Sequence, residues 1–126
     1  MTILSTLQTL STTLRAYSFN FRDELELHDL LEQAMRADGW VVEREVKLSE
    51  KDRIDFVVHR KDVGGVVGVE VKVKASVANV ERQLRRYAAH ERIEGLLVVS
   101  YTLQLKQLPD NINGKPVHVA VFSHMV

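Results

Sequence analysis

Glu70 and Lys72 stand two residues apart in Val69-Glu70-Val71-Lys72, and Asp55 stands fifteen positions before Glu70 in Arg53-Ile54-Asp55-Phe56. Side chains alternate between faces in an extended chain, so Glu70 and Lys72 project from one face of one strand. A hairpin that pairs this strand with the one carrying Asp55 brings two carboxylates and an ammonium together. Converging carboxylate oxygens make a hard site suited to Mg²⁺ or Mn²⁺, with water completing the shell. An ion held in this way polarises a phosphate and acidifies its bound water, while the ammonium orients that water and offsets charge in the transition state. The chemistry these residue types suggest is phosphodiester hydrolysis.

The elements that must hold them are read from periodicity. Ile3, Leu7, Leu10 and Leu14 fall at helical spacing, which predicts an amphipathic helix over 2–18 that packs either on the domain or on a partner. Leu27, Leu30, Leu31, Ala34 and Met35 predict a second helix over 21–38, stopped by Gly39. Strands are expected over 40–46 and 53–59, with Gly64-Gly65 marking a hairpin loop before the strand over 66–74. In that third strand Val67, Val69, Val71 and Val73 alternate with Gly68, Glu70, Lys72 and Lys74, which predicts one core face and one charged face. Helical spacing returns over 77–90, Gly95–Ser100 reads as a buried strand, and after turn residues over 108–116 a last strand is expected over 117–122. A helix leading into a buried strand implies an α/β crossover.

In this context Arg53-Ile54-Asp55-Phe56 followed by Val69-Glu70-Val71-Lys72 resembles the Asp…Glu-x-Lys signature of the PD-(D/E)XK nuclease superfamily, without the proline that names the motif. The likeness runs from about residue 21 to residue 100 and is greatest to short single-domain phage and bacterial members. It implies an α/β fold of the restriction-endonuclease-like kind: an αβββαβ core with a central mixed sheet flanked by helices, here preceded by an N-terminal helix. It also implies a Mg²⁺-dependent, or Mn²⁺-dependent, deoxyribonuclease of endonuclease type. Asp55, Glu70, Lys72, Glu24 and Gln83 would be its catalytic set, with Asp55, Glu70 and Glu24 on the metal. Glu24 is the acidic residue of the preceding helix in this comparison and Glu26 competes for that place, since either carboxylate also suits a helix N-terminus. Gln83 lies four residues before Tyr87, so both can border one groove. Lys74, Arg82, Arg85 and Arg86 would contact DNA phosphates, or else form an ordinary solvated basic face.

Bulk properties limit the alternatives. With 126 residues the chain is expected to be one domain, residues 1–20 forming a helical extension to a nuclease-like domain over 21–126. The absence of cysteine removes disulfides, thiol nucleophiles and cysteine-based zinc sites, and the five histidines show no ligand spacing. No signal peptide or apolar span is evident, so a cytoplasmic protein without membrane attachment is expected. Lys and Arg (17) balance Asp and Glu (17), which excludes coating of nucleic acid by bulk charge but not a locally basic cleft. The expected partner is DNA, and residues 2–18 are a candidate surface for a homodimer. The competing reading is a catalytically silent module of the same fold that holds nucleic acid or a protein.

Overall fold

A computed structural model describes residues 2–123. The ends of the two expected segments, residue 1 and residues 124–126, lie outside the described residues. The element order is α1 (Ile3–Arg15), α2 (Glu24–Ala37), β1 (Val41–Lys47), β2 (Arg53–Arg60), β3 (Val63–Lys72), α3 (Val77–Ala88), β4 (Gly95–Ser100), a 3₁₀ turn (Leu103–Gln107), β5 (Asn111–Ile112) and β6 (Lys115–Val121). One six-stranded sheet has the order β1-β2-β3-β4-β6-β5. The first three strands form an antiparallel meander, and β4 and β6 add in parallel through crossovers, giving a mixed sheet. This is the restriction-endonuclease-like α/β architecture.

Local chemistry explains the helix ends. Asp23 accepts a hydrogen bond from the Glu26 amide at 2.8 Å and starts α2, and Ser76 does the same for α3 through Asn79 at 3.2 Å. Gly39 follows α2 with a φ of 87°, a left-handed conformation that glycine takes without steric cost.

Both faces of the sheet are covered. On one, Leu7, Leu10 and Leu14 of α1 and Leu27, Leu31 and Met35 of α2 pack with Phe56, Val58, Val67, Val69, Val71, Leu97 and Val99. On the other, Val80, Leu84 and Tyr87 of α3 pack with Ile54, Val57, Ile93, Leu96 and Val98. The apolar face of α1 is therefore spent within the chain's own core, where its three leucines have no exposure. The expectation of one core face and one charged face on β3 is corrected. Gly68 is buried opposite Ile54, Ile93 and Leu96, and charge emerges only at the end of the strand.

The Gly64-Gly65 pair is not the hairpin loop. The turn is Lys61-Asp62, with Arg60 paired to Val63, and both glycines lie within β3. Their role is close approach: a Cβ on Gly65 would stand 2.6 Å from Ile3 Cδ1, and one on Gly95 2.9 Å from Ile3 Cγ1. The smallest residues thus let the start of α1 lie against the sheet. Among the described residues no helix is long and apolar enough to cross a membrane.

Candidate active site

β2 and β3 pair regularly from Val58 opposite Val67 to Phe56 opposite Val69, and there the ladder stops. Beyond it the two carboxylates take over the role of the backbone. Asp55 Oδ2 accepts from the Val71 amide at 2.7 Å, and Glu70 Oε1 accepts from the Asp55 amide at 3.3 Å. On the other side β1 pairs Arg44 with Phe56 and Val46 with Ile54, while the intervening Glu45 has a φ of 52°. A non-glycine residue in this left-handed region marks a local departure from strand geometry. Consequently Ile54 and Phe56, which strict strand alternation would put on one face, pack in opposite clusters, and Asp55 lies at the crossing.

Lys72 Nζ stands 3.1 Å from Glu70 Oε2, so the expected neighbours on β3 do meet. Glu70 is 3% exposed, whereas the Asp55 side chain retains 22% exposure and opens the site to solvent. Burial and the adjacent Asp55 charge push the Glu70 carboxyl up to about 7, with Lys72 opposing them. Glu70 is therefore a half-ionised acid near neutral pH, able to hold or release a proton at little cost.

α2 also delivers His28, whose helical spacing allows an approach to the cleft but equally suits a structural histidine. His28 Nε2 is buried without a hydrogen-bond partner, 3.8 Å from Asp55 Oδ2 and 4.0 Å from Glu24 Oε1, and its ring lies 5.7 Å from that of Phe56. The sequence signal was its place one turn after Glu24, which is common on any helix. Glu24 thus faces the site through His28. Glu26 turns instead to Arg22, accepting from its amide and guanidinium at 3.1 and 3.0 Å.

α3 contributes a second layer. Gln83 Nε2 donates to Tyr87 Oη at 2.7 Å, and Tyr87 Oη donates to the Arg53 carbonyl at 2.8 Å while standing 3.5 Å from Glu70 Oε2. Gln83 reaches the carboxylates only through Tyr87, whose single proton is directed at the backbone of β2. Burial and the carboxylates raise the Tyr87 phenol above its usual range, so it stays neutral.

Three of the four basic residues named as phosphate contacts, Arg82, Arg85 and Arg86, lie on α3 and have partners within the chain. Arg85 pairs with Glu81 at 2.6 Å and Arg86 with the buried Asp52 at 2.9 Å, while Arg82 bonds Asn79. Lys74 is exposed and makes no ion pair among the described residues.

Among the described residues no group of three or more His, Cys, Asp or Glu is gathered closely enough to hold a metal by itself. Two carboxylates, each bonded to an amide of the other's strand, and an unpartnered histidine nitrogen remain. This donor set fits a hard divalent ion, because Mg²⁺ commonly keeps several waters and takes only one or two protein carboxylates.

No family model matches the chain, and no curated protein matches it. Solved structures resemble it, two of them as follows. The SPO1766 protein of unknown function from Silicibacter pomeroyi is 16% identical, with 71% of this chain and 58% of that one covered and a TM-score of 0.48. A repair endonuclease from Pyrococcus abyssi is 19% identical, with 85% of this chain and 50% of that one covered and a TM-score of 0.54. The chain spans about half the length of each, 58% and 50%, and the second likeness establishes that the two proteins share a fold.

Proposed function

We propose that the protein is a metal-dependent nuclease that hydrolyses DNA phosphodiester bonds. The observation that carries this reading is the break in the β2–β3 ladder, where Asp55 and Glu70 exchange hydrogen bonds with each other's strands and Lys72 stands 3.1 Å from Glu70. A buried acid raised to about 7 beside a second carboxylate is costly to keep and is the arrangement found where chemistry is done. The repair endonuclease of the same fold adds support by analogy alone.

Asp55 and Glu70 would hold Mg²⁺ or Mn²⁺, with Glu24 at the outer margin. When bound, the ion supplies Lewis-acid polarisation of the phosphate and a more acidic water. Lys72, tethered by Glu70, presents its ammonium to the phosphate and offsets charge that develops there. Val71, held by Asp55, keeps the Glu-x-Lys strand in register with the first carboxylate, and Gln83 and Tyr87 brace Glu70 from behind.

The test is incubation of pure protein with linear, circular, single-stranded and branched DNA in Mg²⁺ or Mn²⁺, beside Asp55→Asn and Lys72→Ala. Cleavage by wild type and not by the variants is expected. Cleavage that survives both substitutions would sink the assignment, and salt-sensitive DNA binding without cleavage would favour the silent binding module. A rise in melting temperature with Mn²⁺, absent in Asp55→Asn, gives a readout independent of activity.

A further inference from the structure

Five of the chain's eight aromatic side chains lie in a continuous series at one end of the sheet. Tyr17 stacks on Phe19 with centroids 6.0 Å apart, Phe19 meets Phe122 at 5.9 Å, Phe122 meets Tyr101 at 5.9 Å, and Tyr101 meets Phe21 at 5.2 Å. Core packing accounts for only part of this, since Phe19, Phe21, Tyr101 and Phe122 are partly buried and Tyr17 is 44% exposed. The series follows the C-terminal ends of β4 and β6 and reaches Phe21, three residues before Glu24.

Beside Tyr101 is a groove of about 420 Å³ lined by Val73, Lys74, Tyr101, Thr102, Leu103 and Gln104. It begins immediately after Lys72 on the same chain segment. Its walls are tied together: Ser100 Oγ donates to the Lys72 carbonyl at 2.5 Å, and Thr102 Oγ1 donates to the Val73 carbonyl at 2.9 Å. Leu103 is 66% exposed at its rim, and Lys74 supplies a cation with no internal ion pair among the described residues.

We infer that this groove and the aromatic series beside it bind an unpaired nucleotide strand next to the scissile phosphate, so that the substrate is single-stranded or splayed DNA rather than continuous duplex. The inference rests on the nuclease reading for the position of that phosphate. A cation and apolar ring surfaces in one groove match the two faces of a nucleotide, since the ammonium takes a phosphate and the rings take a base. Within a duplex each base is already stacked on its neighbours, and the rings gain nothing. Clefts at the carboxyl ends of parallel strands are also where ligands of α/β sheets bind.

The test measures binding in EDTA, without cleavage, by fluorescence anisotropy of a labelled single strand and of its duplex. Wild type is expected to prefer the single strand by about tenfold or more, and Tyr101→Leu to lose about tenfold of that affinity. Lys74→Ala is expected to weaken binding and lower the salt slope by about 0.7. Photocrosslinking of 5-iododeoxyuridine-substituted single strand to wild type should place adducts on Tyr101 or Phe21. Crosslinking and the surface variant Lys74→Ala keep the test decisive if Tyr101→Leu melts early. Equal affinity for both DNA forms, or adducts confined to other faces, overturns the inference. Cleavage of duplex without preference for unpaired strands removes it and leaves the nuclease reading standing. Single-strand binding with adducts at Tyr101, but no cleavage in Mg²⁺ or Mn²⁺, upholds the groove as a site for unpaired strand and removes the nuclease reading together with the scissile phosphate.

Discussion

Asp52 and Glu70 are carboxylates buried to a similar degree, 8% and 3% exposed, and their environments drive them in opposite directions. Asp52 receives the Arg86 guanidinium at 2.9 Å and faces His90 at 3.3 Å, so its carboxyl is held below the usual range and it stays charged. Glu70 has one ammonium against it, but also the neighbouring charge of Asp55, and burial carries it up to about 7. Burial alone therefore does not decide what a carboxylate does. Asp52 has the partners a structural ion pair needs, whereas Glu70 and Asp55 together have the single Lys72 ammonium against them.

The contrast is sharpest in activity. Lys72→Ala is expected to lower the cleavage rate about 10²–10³-fold, the scale of losing one group that stabilises transition-state charge. Asp52→Asn should leave cleavage per folded molecule unchanged, as initial rates at matched folded concentration will show. Comparable losses in the two variants would erase the distinction.

Stability against pH separates the pair next. The folded-state value of Glu70 lies above its unfolded value, so its contribution is full below about 4.5 and is lost as pH rises through about 7. In EDTA, Glu70→Gln should therefore be more stable than wild type at pH 8, by about 3 kcal/mol at most. It should also lack the fall in wild-type stability between pH 4.5 and 7. Asp52 has the opposite sign: its folded value is depressed, so its contribution is present above its ordinary value of 3.8 and is lost as pH falls below it. Asp52→Ala is expected to cost about 1–3 kcal/mol at pH 7, that of a hydrogen bond to a charged group. Denaturant melts across this pH range give both slopes, and parallel slopes would contradict the assignment of roles.

The smallest effect concerns the support behind Glu70. Tyr87→Phe removes the bond to the Arg53 carbonyl and should cost about 1 kcal/mol in urea denaturation. An unchanged midpoint would mean that Tyr87 serves only as packing.

Much of the frame was legible from residue order. Leucine spacing in α1 and α2, the alternating valines of β3 and the apolar run of β4 carry their own periodicity, and Gly39 carries its own cap chemistry. The nearness of Glu70 to Lys72 needed only the two-residue repeat of a strand. Glycines misled at 64–65, because a glycine required for contact with Ile3 looks the same in sequence as one required for a turn.

What the sequence by itself determined is thus the order of elements and the one-strand pairing of Glu70 with Lys72, both properties of local backbone geometry. Only the tertiary structure decided that the β2–β3 ladder ends at Asp55 and that His28 arrives from α2 with an unpartnered nitrogen. It alone decided that Arg86 serves Asp52 and that Tyr101, within an aromatic series, shares a groove with Lys74. Each of these depends on which distant groups share a place, and on burial that strengthens their charges once water is excluded.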